Sequence, residues 1–276
     1  MSTWLCYQLV FRAESDVCLG FDRLGFVQRT RYFIPAHNFW AAATVALAHG
    51  SDMNYGKAGT EAEKNLRFTP FYVWRNSEFV FPWNDPAKFE RTYVGARTRA
   101  TIESSTATAA EGGLFELEYL ISRPDGEQLS LSGYAWVRQT AQCDLAGLLR
   151  FIAIGGERKY GWGRLRLTTL SEASDVFGHA MKLDEEEPRV TLDNGTILPA
   201  HLCVAGCKAA MAGDIEPLTG RTWDAAKGPG RAPANAPILC WAPGTQIAGK
   251  MSATVGPKGV WQACVNSGGR SPEIAD

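Results

Sequence analysis

The chain has 276 residues, 45% of them hydrophobic and 21% charged, with a formal net charge of −1. That balance supplies a full core for one large domain or two modest ones. The lack of any apolar run near eighteen residues leaves no helical membrane span, and a near-neutral charge counts against a free-standing nucleic-acid binder, which is usually basic.

Residues 3–12 read as a buried strand, apolar and aromatic with little charge. They lack the basic lead of a signal peptide. An arginine-bearing loop follows, with Arg23, Arg29 and Arg31. Pro35 then marks the entry to a helix over 37–49, in which Phe39, Trp40, Ala43 and Leu47 share a face and Gly50 is the stop. Residues 51–67 are polar and rich in Gly, Lys and Glu, which predicts a mobile loop. Residues 69–83 alternate and can turn at Asn76-Ser77. Strands are expected at 97–103, 113–120 and 128–137, with Pro124-Asp125-Gly126 as a hairpin turn between the last two. A helix is expected over 142–153, capped by Thr140 or Asp144, and a strand over 164–170.

Between that helix and that strand lies IAIGGERKYGWGRLRL, residues 152–167. Gly155, Gly156, Gly161 and Gly163 permit positive φ and close approach of the backbone to a ligand. Arg158, Lys159, Arg164 and Arg166 supply cations for phosphates, and Tyr160 and Trp162 supply rings for bases. No Gly-Lys-Ser/Thr closes the loop, so it is not a Walker loop. On composition alone, an anion-binding concavity and a plain basic turn are equally good readings.

The run GGERKYGWGRL resembles the glycine-rich loop of the CRISPR-associated RAMP superfamily, which follows the second core helix and precedes the last core strand. The Ile34-Pro35-Ala36 entry to the first helix is similar to that family's opening. The segment from Arg97 to Phe115 resembles its central strands, and Ala242-Pro243-Gly244-Thr245 is similar to a phrase near the end of the type III subunit that holds the guide 5′ end. The resemblance implies an α+β chain with a ferredoxin-like (RRM-type) βαββαβ core and inserted hairpins over 1–170. The remainder, 171–276, reads as a smaller, irregular β-rich unit, with a hairpin at Asp193-Asn194-Gly195 and a loop over 228–237. It further implies a subunit of a type III or type III-derived (type VII) effector complex, binding the 5′ handle of the guide (CRISPR) RNA and capping the backbone filament. Its partners would be guide RNA, a backbone RAMP subunit, a large or nuclease subunit and, indirectly, target RNA, without membrane.

The RNA-binding set expected from this reading is Arg29, Arg31, His37, Arg97, Arg99, Gly155, Gly156, Arg158, Lys159, Tyr160, Gly161, Trp162, Gly163 and Arg164, with the three arginine groups lining one surface. No catalytic residue, metal or cofactor is expected. Asp22, in the loop after the first strand, and His37 are the only residues that would make the chain a RAMP ribonuclease, and neither has a visible partner. A generic RRM-like RNA-binding module is the third reading. His201, Cys203 and Cys207 hint at a metal, but paired short spacings of four ligands are absent, so the cysteines read as small buried hydrophobes. Seven cysteines at scattered spacings form no secreted disulfide framework and fit a reducing cytoplasm.

Overall fold

The opening alternation of apolar side chains produces a strand with one face in the core. The computed structural model describes residues 3–141, 143–224, 228–233 and 237–264. In it β1 (Trp4–Ala13) buries Leu9, Phe11 and Ala13. The arginine-bearing stretch expected to be a loop is a hairpin, β2 (Gly20–Leu24) and β3 (Val27–Thr30), turning at Gly25 with φ 62°. Pro35 opens α1 (Ala36–Gly50), whose Phe39 and Ala43 are fully buried.

Residues 51–67, expected to be a mobile loop, are instead mostly helical: α2 (Tyr55–Asn65), then β4 (Leu66–Phe68). The Asn54 side chain caps α2 by accepting from the Lys57 amide at 2.9 Å. Ala58, Gly59, Ala62 and Asn65 make its buried face. None of them is a large apolar residue, so its hydrophobic pattern is faint in the sequence.

The hairpin of β5 (Tyr72–Arg75) and β6 (Glu78–Val80) turns at Asn76 and Ser77, both with positive φ, as the primed hairpin turns require. Next come α3 (Pro86–Tyr93), capped by Asp85, then β7 (Val94–Glu103), β8 (Thr108–Leu120) and β9 (Ser130–Arg138). The expected helix over 142–153 shortens to α4 (Leu145–Leu149), capped by Asp144. Residues 151–153 are a strand, β10 (Phe151–Ala153), because they pair with β11 (Arg164–Glu172) at the sheet edge.

The chain is α+β with a ferredoxin-like core. The strands β11, β1, β9 and β5 lie side by side, antiparallel throughout, with β4 also on β9, β10 outside β11 and β6 outside β5. With α1 and α4 this is the βαββαβ motif. The core holds Phe11, Phe39, Phe68, Phe71, Leu131, Val73, Leu149 and Leu165. Residues 97–103 and 113–120 are strands as expected, but not central strands of the core. They form a separate four-stranded sheet, ordered β2, β3, β8, β7. The second core strand comes from residues 66–75. The turn at Pro124–Gly126 therefore carries the chain from one sheet to the other instead of closing a hairpin.

By contacts the chain divides into two units, one of residues 1–173 plus 257–259 and one of residues 174–256 plus 260–276. In the first, Gly259 (φ 72°) lies against Ala36 and the Phe68 carbonyl, and Lys258 Nζ reaches Glu63 at 2.8 Å and the Trp40 ring at 4.9 Å. The described part of the second is all strand and turn around buried Val190, Leu192, Leu202, Cys240, Val255 and Trp261. Arg189–Leu192 pairs with Met251–Val255, so Asp193-Asn194-Gly195 turns the chain without closing the expected hairpin. Within the expected loop over 228–237, Gly228–Pro233 is a strand on Arg221–Asp224; residues 234–236 lie outside the described residues. Among the described residues no helix is long and apolar enough to cross a membrane.

Candidate nucleic-acid interface

The glycine-rich loop is shaped first by its own packing. Gly155 and Gly163 hold φ of 84° and 75°. A Cβ at Gly155 would strike the Cys18 carbonyl, and one at Gly163 the Ile154 carbonyl. The Gly163 amide donates to the Asp16 carbonyl at 2.7 Å and the Gly156 amide to the Cys18 carbonyl at 2.8 Å. These two amides bind the loop to residues 16–18; they are not bare. Gly161, also at φ 84°, has open space around it, its nearest neighbour being Arg164.

Between Glu157 (φ 57°) and Gly161, residues Arg158–Tyr160 form a single 3-10 turn closed by the Gly161 amide on the Arg158 carbonyl at 3.0 Å. The turn holds Arg158, Lys159 and Tyr160 in solvent, Tyr160 at 73% exposure. Trp162 behaves in the opposite way. It is buried on Cys18 and Leu117 and meets Tyr119 edge-on at 4.8 Å. Trp162 therefore builds the floor of the loop, and Tyr160 is its exposed ring.

The arginines of β7 arch over this floor. Arg97 lies 5.6 Å from the Trp162 ring, and Arg99 lies 5.0 Å from both Trp162 and Tyr160. Period two puts both on one strand face. Arg99 also binds the Glu157 carboxylate. Arg97 and Arg99 over the rings, the exposed Arg158 and Lys159 in the turn and Arg164 beside Gly161 make an electropositive patch with an exposed ring, within which Glu157 is paired with Arg99. Beneath it, Cys18 has its thiol pushed from its ordinary 9.0 to about 11, by burial first and then by Glu157, with Arg99 opposing. Sequence reasoning missed both Glu157 and Cys18. A lone acid inside a basic loop was the available signal for Glu157.

The expected single surface does not form. Arg29 sits beside Glu118, at 3.9 Å, and under the Tyr32 hydroxyl. On β8, Glu118 points away from Leu117, which faces Arg97 and Trp162. Arg29 is therefore on the opposite face of the four-stranded sheet from Arg97 and Arg99. Arg31 stacks on the Phe21 ring at 4.6 Å. His37 lies half-buried in the first turn of α1. Asp22 is exposed on β2 and accepts from the Arg23 amide at 2.7 Å.

In the second unit His201 is buried and paired with Glu216. Cys203 and Cys207 are half-buried, and the cysteine buried fully is Cys240, the cross-strand neighbour of Cys203. Among the described residues no group of three His, Cys, Asp or Glu side chains is placed to hold a metal ion.

A family model for the RAMP superfamily matches residues 24–166. The fold is similar to that of a chain in the cryo-EM structure of the Type III-B Cmr-beta bound to cognate target RNA, at a TM-score of 0.54 and 11% identity over 87% of this chain and 86% of that one. A chain from the same complex bound to cognate target RNA and AMPPnP, state 1, gives a TM-score of 0.50 at 11% identity over 87% and 85%. No curated protein matches the sequence.

Proposed function

The chain belongs to the RAMP superfamily, and on that premise we propose that it is a non-catalytic subunit of a CRISPR effector complex, of type III or the type III-derived type VII, which binds the 5′ handle of the guide RNA and caps the backbone filament in the cytoplasm. The observation that carries this reading is the patch of Arg97, Arg99, Arg158, Lys159 and Arg164 around the exposed Tyr160. Cations neutralise phosphates and an exposed ring stacks on a base, with little demand on sequence. The family match and the fold shared with chains of a target-RNA-bound Type III-B assembly support a place in such a complex. The partners that follow are the guide, a neighbouring backbone RAMP subunit and a large or nuclease subunit, with target RNA met indirectly. Of the two ribonuclease candidates, Asp22 is an exposed hairpin residue whose carboxylate accepts from the Arg23 amide.

The test is to purify the assembled complex through this chain and sequence the RNA it carries. A discrete short RNA with a common 5′ end is expected. No RNA, or RNA with scattered 5′ ends, would overturn the proposal.

A further inference from the structure

The face of the core sheet opposite α1 and α4 carries a row of side chains that the glycine loop does not use. Cross-strand partners share a face. Phe151 on β10 pairs with Arg166 on β11, Arg166 with Arg12 on β1, Arg12 with Ser130 on β9, Ser130 with Trp74 on β5, and Trp74 with Phe79 on β6. The row crosses six strands, about 24 Å at the usual ~4.8 Å spacing. Their sequence neighbours Ile152, Leu165, Phe11, Leu131 and Val73 point the other way, into the core.

The row has chemical polarity. One end is basic around an exposed ring: Phe151 is 62% exposed, and Arg150 lies 5.5 Å from its centroid. Arg12 and Arg166 both bind Glu14, at 2.8 Å and 3.0 Å, and that carboxylate holds the two guanidiniums side by side. Each guanidinium has five N–H donors, so each keeps donors for a second partner. Arg164, which also stands beside Gly161, lines the same side of the sheet and adds a third guanidinium. A cleft of about 430 Å³ opens here, lined by Glu14, Phe151, Arg164 and Arg166. The other end is aromatic, with Trp74 edge-on to Phe79 at 4.7 Å.

We propose that this face is a second RNA-contacting surface, taking a single-stranded segment whose phosphates lie on Arg12 and Arg166 and whose bases stack on Phe151 and Trp74. Alternating cations and rings suit a chain that alternates phosphates and bases, and a 24 Å row matches single-strand sites, which begin at about four nucleotides. An acidic polypeptide would use the arginines and leave the rings idle. The identity of the ligand as RNA rests on the function proposed above; the position of the surface does not.

The test titrates a labelled twelve-nucleotide single-stranded RNA of mixed sequence against the full chain at several salt concentrations. Phe151→Ala should weaken binding by between about five- and 160-fold, the range for one stacked base. Arg12→Gln with Arg166→Gln should lower the slope of log K against log salt by about 1.4, two contacts at ~0.7 each. Phe151→Leu, which preserves packing without a ring, should weaken binding as Phe151→Ala does. A parallel arm uses Arg158→Ala with Lys159→Ala. Loss in that arm with no change in the Phe151 and arginine variants overturns the second surface and leaves the glycine loop. Loss in the Phe151 and arginine variants with no change in that arm supports it and removes the loop. No binding by the unmodified chain at low salt, or polyglutamate binding that Phe151→Ala abolishes, overturns it.

Discussion

Arg99 on β7 and Glu157 in the glycine-rich loop form an ion pair with side chains only 19% and 30% exposed. Glu157 thereby fastens the loop to the four-stranded sheet and also occupies an arginine that would otherwise face solvent.

Glu157→Gln keeps the shape and removes the charge. Guide RNA should bind more tightly, by about two- to fivefold at low salt, and the salt slope should steepen by up to ~0.7 as Arg99 gains a phosphate. Stability should fall by about 1 kcal/mol or less, the scale of a partly exposed pair. Binding titrations and urea unfolding check both effects; weaker RNA binding would count Glu157 among the direct contacts.

The glycines should rank by their surroundings. Gly155→Ala and Gly163→Ala each place a Cβ on a backbone carbonyl at positive φ and should cost about 2–4 kcal/mol. Gly161→Ala has the same φ but open space and should cost about 1 kcal/mol. Urea midpoints give the order directly.

The two rings of the loop should separate. Trp162→Ala empties a buried site and should destabilise the chain by about 3–5 kcal/mol. Tyr160→Ala should leave the melting temperature nearly unchanged and weaken RNA binding by the equivalent of about 1–3 kcal/mol. The reverse pattern would show that Trp162 leaves its pocket to bind.

Arg158→Ala with Lys159→Ala removes two exposed cations from the 3-10 turn. The salt slope of guide binding should become shallower by about 1.4. The loss should be alike for guides of different sequence, since phosphate contacts carry no base information.

Burial lifts the Cys18 thiol to about 11 and the Cys240 thiol to about 12, against an ordinary 9.0. Raised folded values mean that the unfolded chain loses its protons first, so the stability present below pH 9 is lost as pH rises toward 11. Urea midpoints should fall across that window, less steeply in Cys18→Ala. At pH 8 iodoacetamide should spare both thiols in the native chain and modify them in denaturant.

The helix α1 was legible because large apolar residues repeat at helical spacing behind Pro35. Helix α2 was not, because its buried face of Ala58, Gly59, Ala62 and Asn65 holds no large apolar residue. The partition of strands between two sheets was hidden: alternation shows that 97–103 and 113–120 each have two faces, not which neighbour pairs with them. The same limit affected the site. The sequence lists arginines, but the opposite orientation of Arg29 and Arg97 depends on the parallel register of β3 on β8. For Trp162, composition names a ring and only packing shows that Cys18, Leu117 and Tyr119 already cover it.

Residues 257–259 have a consequence for synthesis. Gly259 and Lys258 fill a place against Ala36, Phe68, Trp40 and Glu63, yet the ribosome makes them more than eighty residues after β11 is complete. The ferredoxin-like unit therefore emerges with one side unfinished and closes only after residues 174–256 of the second unit have been translated. A fragment ending at residue 173 should fold to a looser state than the same residues in the full chain, and its amides near α1 and β4 should exchange with solvent fastest.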